Sequence, residues 1–320
     1  MRRGETIPSY GTGPMKNLSV TKIEKFLQCP LSFKYRFIDK IPETTSGVVH
    51  AGRVVHDIIE HALKEFARTG KYPDWQEMDD RYLPTWERKT REEEAKPSFI
   101  GWQLDPEDPM EKLQEECRPL VRVAREQALP KIRPMVLDNG PVVEYRVDLE
   151  FKSDVGPFKT LGFIDLLEES GMLSDWKTTK KVSGRAKKGW MQAASYSFFV
   201  YPLIGEEIVQ SQKIFLVREP GNPHVEYAPT AVGPSHRAWF AKIAAEVWKS
   251  IHYGVYPARS EGWWCSEKFC NFFGPCQEGV AKPETPWSKE TCKACKGTGQ
   301  VIVEGEEDVS SGTPDSRKAS

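Results

Sequence analysis

Two aspartates and a lysine stand at the ends of two neighbouring segments whose side chains alternate as in β-strands. Asp165 closes Gly-Phe-Ile-Asp, and Asp175 and Lys177 lie in Ser-Asp-Trp-Lys. If the two strands are antiparallel neighbours, both carboxylates reach the same end of the sheet, and Lys177 shares the face of Asp175. Paired aspartates suit a hard divalent cation such as Mg²⁺. A lysine beside that cation could orient or deprotonate a water, so the set predicts phosphodiester hydrolysis.

A basic segment without acidic residues follows directly. No Asp or Glu occurs from Trp176 to Gly205, and six basic residues fall there. They are Lys177, Lys180, Lys181, Arg185, Lys187 and Lys188. Such a stretch would attract a phosphate backbone. On the residues alone two simpler interpretations stay open, namely aspartates that flank turns and a solvated basic loop.

Hydrophobic periodicity predicts the elements that must position these residues. Apolar side chains recur at helical spacing from Gly47 to Gly70, and the period changes to two between Pro141 and Trp176, where turn residues separate three strands. This order predicts an α/β fold, with a central mixed β-sheet flanked by helices. Further elements are expected as a helix capped by Ser19 or Thr21, helices over 110–128, 189–201 and 235–251, and a strand over 213–217.

Three more polar residues lie on the predicted helices. His56 stands off the apolar stripe of its helix, and Gln192 and Tyr196 are four residues apart, hence on one helical face. Taken singly, each is typical of a half-exposed helix position.

Four motifs, taken in this order, resemble the RecB-like branch of the PD-(D/E)XK nuclease superfamily, which includes the CRISPR-associated RecB-like exonucleases and the nuclease domain of AddB. They are Gly52-Arg-Val-Val-His56, Gly162-Phe-Ile-Asp165, Asp175-Trp-Lys177 and Gln192-Ala-Ala-Ser-Tyr196. The segment from Ser19 to Tyr35 is similar to the opening motif of that branch. The resemblance spans residues 18–278 and implies a restriction-endonuclease-like core.

The resemblance also implies roles for individual residues. His56, Asp165 and Asp175 would bind Mg²⁺ or Mn²⁺, with the backbone carbonyl of Trp176 as a further ligand. Lys177 would be the catalytic lysine, acting together with the two aspartates.

Contacts with DNA are expected from the helix motif and from the basic segment. The residues expected to make them are Gln192, Tyr196, Lys180, Lys181, Arg185, Lys187 and Lys188. One departure from the family pattern is Ile164, which stands before Asp165 where many members have proline, a change that the superfamily tolerates.

The cysteines predict a second metal site. Five of the seven lie between Cys265 and Cys295, which indicates reduced thiols gathered around a metal. Some relatives hold a [4Fe-4S] cluster with one early and three late cysteines, which here would be Cys29, Cys265, Cys270 and Cys276. Four residues separate the first two late cysteines, where relatives commonly have two. Structural Zn²⁺, suggested by Cys292-Lys-Ala-Cys295, and a metal-free Cys29 in a hydrophobic core are the alternatives.

Composition sets the broad class of protein. The 320 residues are 28% charged, and their mean hydropathy is -0.54, values typical of a soluble globular protein. Neither a membrane-spanning run nor a secretory signal is recognisable, so we expect a cytoplasmic protein. The net charge of -1 hides an uneven distribution, because Gln76 to Cys117 holds 13 acidic and 6 basic residues. That segment predicts a solvated, partly helical insertion, with Cys117 incidental.

The predicted organisation is a flexible N-terminus over 1–17, a nuclease domain over 18–280, and a polar, disordered tail over 281–320. Within the domain lie a helical, acidic insertion at about 71–135 and the cysteine cluster over 265–276.

The expected function is that of a metal-dependent DNA exonuclease in recombination, repair or end processing. Two alternatives stay open, a non-cutting DNA-binding subunit of a recombination complex on the same fold and an RNA-directed nuclease. The sequence has no G-x-x-x-x-G-K-[ST] loop, so unwinding would need a helicase or recombination partner.

Overall fold

A computed structural model describes residue 15 and the ranges 17–184 and 191–281, and the chain divides into two units, Met1–Phe272 and Phe273–Ser320. The strands are β1 (Leu18–Ser19), β2 (Glu43–Ser46), β3 (Phe99–Gln103), β4 (Val136–Leu137), β5 (Gly140–Pro141), β6 (Val143–Phe151), β7 (Phe158–Leu167), β8 (Leu173–Thr179), β9 (Gln210–Val217) and β10 (His224–Ala231). The α-helices are α1 (Val20–Gln28), α2 (Pro30–Phe33), α3 (Gly47–Thr69), α4 (Trp75–Asp80), α5 (Tyr82–Glu94), α6 (Met110–Cys117), α7 (Pro119–Val123), α8 (Met191–Ile204), α9 (Pro234–His252) and, in the second unit, α10 (Phe273–Ala281). None of these described helices is long and apolar enough to cross a membrane.

A six-stranded mixed sheet occupies the centre of the first unit. The predicted meander is β6, β7 and β8, each antiparallel to the next. β9 then pairs with β8 in parallel and with β10 in antiparallel fashion, and β1 pairs in parallel with β7. A parallel neighbour requires a crossover, which here contains α8. The predicted α/β fold with a mixed central sheet is therefore confirmed.

The neighbours of β7 leave an opening in the sheet beside Asp165. β6 pairs with β7 along its length. On the opposite edge β1 pairs at residues 160–161, and β8 pairs at residues 166–167. Residues 162–165 therefore lie between the end of one neighbour and the start of the next. We call this stretch the β7 gap.

Helices cover both faces of the sheet. On one face α3 packs with α4 to α7, and the buried residues include Ile58, Leu120 and Trp176. On the other face α1, α8 and α9 enclose a second core that includes Phe199 and Phe240. Because both faces are covered, a polar side chain of the central strands that stays accessible must lie at a strand end or in an opening.

Local signals position the start of α1 and the end of α3 as predicted, whereas the helix expected over 110–128 is divided. The Ser19 hydroxyl accepts a hydrogen bond of 3.3 Å from the backbone N–H of Lys22, so Ser19 is the N-cap of α1. α3 ends at Gly70, whose φ of 73° is the left-handed conformation that glycine adopts most readily. The helix expected over 110–128 is broken before Pro119, which has no N–H to donate, and its last turn is a π-helix.

The structure also differs from the prediction at β10 and in the acidic insertion. β10 is an edge strand that contains Pro229, and proline disrupted the strand pattern in the sequence. The acidic insertion is not a solvated appendage, because Met78, Tyr82 and Leu113 are completely buried in the core formed with α3. Most of its acidic residues are exposed, on helices whose inner face is apolar.

Candidate active site

Tyr196 links the two predicted aspartates at the β7 gap. Its hydroxyl lies 2.5 Å from Oδ1 of Asp165 and 3.2 Å from Oδ1 of Asp175. Gln192, one turn earlier on α8, donates a hydrogen bond of 2.9 Å to the same hydroxyl. Because Tyr196 is only 3% exposed, it is placed to hold the two carboxylates and has almost no surface for DNA.

Close packing between α8 and β7 brings Tyr196 to this position. A Cβ atom at Gly162 would lie 2.4 Å from the ring of Phe199, one turn after Tyr196 on α8. Contact this close leaves no space for any side chain other than the hydrogen of glycine. The glycine of the Gly-Phe-Ile-Asp motif thus lets the helix approach the strand.

Lys177 forms an ion pair with Asp175. Its Nζ donates to Oδ1 at 2.8 Å and lies 2.8 Å from Oδ2. Burial lowers the pKa of Lys177, but the charges of Asp175 and Asp165 outweigh it, so the pKa lies above the ordinary value. Lys177 is therefore an ammonium group at neutral pH, suited to donating hydrogen bonds to a water or a phosphate oxygen.

A second group of side chains meets on the same carboxylate. Ligand atoms of His56, Glu144 and Asp165 all lie within 4.8 Å of one another. Nε2 of His56 is hidden from solvent and has no hydrogen-bond partner within the described ranges. Burial, aided by the charge of Lys177, lowers the pKa of His56 to about 4, so its ring is neutral and can offer a lone pair.

The electrostatics of this group fit a divalent cation. Burial and the charge of Asp165 raise the pKa of Glu144 to about 7. Burial likewise raises the pKa of Asp175 to about 7, helped by Asp165 and opposed by Lys177. The site thus holds a buried imidazole nitrogen and several carboxylate oxygens, with too little positive charge nearby to balance them. Such an environment is typical of a bound metal.

Glu144 is the member of this group that the sequence did not indicate. It lies opposite Asp165 in the ladder, between the pairs Val143–Leu166 and Tyr145–Ile164. Its φ of 47° is unusual for a residue with a side chain. The sequence shows an ordinary strand glutamate there, and only the register of β6 against β7 brings it to Asp165.

The predicted ligands are not all equivalent. His56 and Asp165 meet in the group with Glu144, whereas Asp175 is bound by Lys177 and Tyr196. The backbone N–H of Trp176 lies 3.4 Å from Oδ2 of Asp165. The main chain of β8 thus contacts the same carboxylate.

A small cleft opens at the β7 gap, and Asp165, Gln192 and Tyr196 line it. It has a volume of about 180 Å³. The rest of its lining comes from the end of β1, the start of α1 and residues 161–163 of β7.

The predicted basic residues lie only partly within the described ranges. Lys180 forms an ion pair of 3.3 Å with Asp108 of the insertion, and Lys181 is exposed. Arg185, Lys187 and Lys188 lie outside the described residues, as do Cys292 and Cys295.

Three of the predicted iron–sulfur ligands, Cys29, Cys265 and Cys270, are half-buried free thiols of the first unit. Cys29 and Cys270 both affect the pKa of Lys25, so these two thiols lie near one ammonium group. Cys276 belongs to α10 in the second unit. Cys117 is buried in the core of the insertion, where burial raises the pKa of its thiol to about 12.

The model of the PD-(D/E)XK nuclease superfamily matches residues 17–277, so the chain belongs to this superfamily. Its members hydrolyse phosphodiester bonds and typically use divalent metals, in agreement with the group around Asp165. The resemblance noted in the motifs is thereby confirmed for the superfamily.

One solved structure supports the same fold. A protein from Eubacterium rectale that is provisionally assigned as an exonuclease superposes with a TM-score of 0.51 at 10% identity, covering 87% of this chain and 93% of that one. A second solved structure reaches a TM-score of 0.28 at 12% identity over 44% of this chain and 59% of the other. No curated protein matches the sequence significantly.

Proposed function

We propose that this nuclease is a metal-dependent DNA exonuclease that works in recombination, repair or end processing with Mg²⁺ or Mn²⁺. The observation that supports it best is the arrangement at the β7 gap. There Asp165 lines a small cleft and belongs to a group of potential metal ligands with His56 and Glu144. The Tyr196 hydroxyl links Asp165 to Asp175, which holds the charged Lys177.

His56, Glu144 and Asp165 would hold the cation. When bound, the cation would neutralise charge on the phosphate and acidify a water. The ammonium of Lys177 is fixed by Asp175 and can orient the attacking water or a phosphate oxygen. Tyr196 fixes the carboxylates of Asp165 and Asp175 relative to each other, so their distance does not depend on the substrate.

The size of the cleft favours attack on one strand at a time. A cleft of about 180 Å³ is small on the scale of ligand pockets, and a phosphate group of one strand fits it better than a duplex does. A strand end reaches such a cleft more easily than the middle of a duplex does.

The test compares labelled linear and circular DNA, each in single-stranded and duplex form, with Mg²⁺ and with Mn²⁺. We expect the intact protein to degrade linear strands and to spare circular ones. Asp175→Ala and Lys177→Ala should each reduce cleavage at least about 100-fold. Lys159→Ala, which removes an exposed lysine of β7, is the matched control and should retain activity.

Three results would contradict the proposal. Cleavage retained in the Asp175→Ala/Lys177→Ala double variant would show that this site does not carry out the reaction. Tight DNA binding by the intact protein without cleavage would favour a non-cutting subunit. Preferential cleavage of an RNA strand of the same sequence would favour an RNA-directed nuclease.

The proposal includes a [4Fe-4S] cluster as a structural cofactor, with structural Zn²⁺ as the alternative. It is supported by the half-buried Cys29 and Cys270 near Lys25 and by Cys265 in the same segment as Cys270. Anaerobically purified protein should absorb broadly near roughly 400 nm and contain about four irons per chain. Colourless protein that contains zinc would contradict the cluster. A helicase partner stays a prediction.

A further inference from the structure

We propose that a groove beside the cleft binds an unpaired segment of the DNA substrate and that Trp263 stacks on one of its bases. This inference rests on the proposed function and adds to it the form of DNA that the enzyme accepts.

The groove runs along α1 and continues from the active site. It has a volume of about 1040 Å³ and is lined on one side by Thr21, Glu24, Lys25 and Gln28. Thr21 and Glu24 also line the small cleft at the β7 gap, so the two spaces adjoin. From Thr21 to Gln28 the helix axis rises by about 10 Å. That length matches about three stacked nucleotides.

The opposite wall of the groove carries an exposed aromatic side chain. Trp263 is 58% exposed, an unusual position for the largest apolar residue. Phe269 contacts the edge of its ring at a centroid distance of 5.1 Å and an angle of 84°, and Trp264 does so at 6.1 Å and 78°. Its neighbours thus fix the orientation of the indole before any ligand binds.

Backbone geometry at Gly262 supports this arrangement. Its φ is 147°, and a Cβ atom there would lie 2.4 Å from the ring of Trp264. Trp264 therefore folds back against the chain and leaves Trp263 outside. The conformation separates two consecutive tryptophans into one that packs and one that is presented to solvent.

The charges along the groove suit a nucleic-acid backbone. Of the three charged residues that line it, Lys25 and Arg36 are cationic and Glu24 is anionic. Arg36 is also paired with Glu43 at 2.7 Å, so Lys25, one turn after Thr21 on α1, is the cation placed to meet a phosphate. Cationic side chains that follow a strand, together with an aromatic ring on which a base can stack, are the usual elements of single-strand binding. Duplex DNA offers no free base face to Trp263, so the groove selects unpaired nucleotides.

The test measures binding of a fluorescent 20-nucleotide single strand to full-length protein carrying Asp175→Ala, which prevents cleavage. Trp263→Ala added to this protein should weaken binding about tenfold to a hundredfold. Trp263→Phe should retain most of the affinity. Trp75→Ala is the matched control, since it removes a tryptophan that is 39% exposed on α4.

A set of strands with one abasic site each separates stacking from a structural effect. One abasic position should weaken binding to the protein with Trp263, whereas the Trp263→Ala protein should be insensitive to it. The inference is wrong if the Trp263→Ala protein binds DNA as tightly as the Trp75→Ala protein does. It is also wrong if Trp263→Ala lowers the affinity by the same factor for every abasic strand. If the unsubstituted protein cleaves no DNA at all, the proposed function fails instead.

Discussion

Glu144 combines two unfavourable features at one residue. Its left-handed backbone costs about 1–2 kcal/mol relative to an ordinary strand conformation. Its carboxylate lies within 4.8 Å of that of Asp165, and the pKa of Glu144 rises to about 7 through burial and this neighbour. Both penalties act in the metal-free protein. A bound cation would offset them. Glu144 thus lowers the stability of the metal-free protein and would be favourable only with the metal bound.

Substitution of Glu144 should therefore reverse the usual effect of glycine in a strand. We expect Glu144→Gly to be more stable than Glu144→Ala by about 1 kcal/mol in the metal-free protein, because only glycine relieves the strain. At Glu150, an exposed residue of the same strand, glycine should be the less stable of the two. Thermal unfolding checks both pairs. Equal stability of Glu144→Gly and Glu144→Ala would exclude the strain.

Metal binding gives a separate measurement at the same residue. Mg²⁺ or Mn²⁺ should raise the melting temperature of the unsubstituted protein. In Glu144→Gly and in His56→Ala, the metal concentration needed for that rise should increase about 10-fold or more. If both variants show the same metal-dependent rise in melting temperature as the unsubstituted protein, the cation binds elsewhere.

Tyr196 should act on turnover and not on affinity for DNA. Tyr196→Phe keeps the ring in the core and removes the hydroxyl that contacts both aspartates, so we expect kcat to fall about 10- to 100-fold. The KM for DNA should change little, because the side chain is buried. Tyr201→Phe, in the more exposed part of the same helix, is the control. An increase in KM alone would instead indicate a DNA contact.

Sequence and structure contribute differently to the residues of the site. His56, Asp165, Asp175 and Lys177 fall in motifs whose order along the chain can be read directly. Glu144 has no such signal, because its position depends on strand register and on one unusual φ angle.

At the scale of elements, the close contact between α8 and β7 determines where Tyr196 lies in the site. Gly162→Ala places a methyl group 2.4 Å from the ring of Phe199, so helix and strand must separate. We expect a loss of about 1–3 kcal/mol in stability and a larger loss of activity, because Tyr196 is carried on the same helix. Calorimetry and cleavage assays measure the two effects.

Two variants test this explanation. Phe199→Leu in the Gly162→Ala background should recover part of the activity, because it creates space for the methyl group. Gly52→Ala is the control, since its new methyl would lie 3.6 Å from Thr178, an ordinary contact, and alanine favours a helix. If Gly162→Ala is as harmless as Gly52→Ala, close packing does not position Tyr196.

The three-strand meander of the sheet was predictable and the β7 gap was not. Alternating side chains and turn residues defined the three-strand meander, but the point where one neighbour of β7 replaces another depends on pairing between distant segments. β1 is only two residues long and gives almost no periodic signal.

At the scale of the whole molecule, a buried arginine fastens the insertion to the sheet. Arg218 follows β9, is 3% exposed, and forms ion pairs with Asp108 and Glu116 of the insertion. Lys180 also pairs with Asp108, at the end of the strand that carries Asp175. The acidic composition of the insertion predicted a solvated surface, and only the long-range contact reveals that part of its charge is structural.

This attachment should make stability depend on pH in the acidic range. The hydrogen bond from Arg218 holds the pKa of Asp108 below its usual value, so its stabilising effect is complete above about pH 4 and is lost as the pH falls further. Asp108→Asn should destabilise the protein at pH 7, and the difference from the unsubstituted protein should shrink below about pH 4. Urea unfolding at pH 7, 5 and 3 measures this. A constant difference would exclude the role of Asp108.

Removing Arg218 should be more severe. Arg218→Met leaves Asp108 and Glu116 without their buried cation and should cost about 3–5 kcal/mol. Arg146→Met, on an exposed pair with Asp148, should cost under about 1 kcal/mol.

The β7 gap also divides the sheet into two parts, which few backbone hydrogen bonds join. β7 is paired along its length with β6, β8 is paired along its length with β9, and the two strands meet at only two residue pairs. Amide protons within each half should therefore exchange with solvent slowly, while those at the junction exchange through local opening. Asp165 and Asp175 belong to different halves, so opening of the junction alone would change their separation, and the Tyr196 hydroxyl, which contacts both, opposes that change.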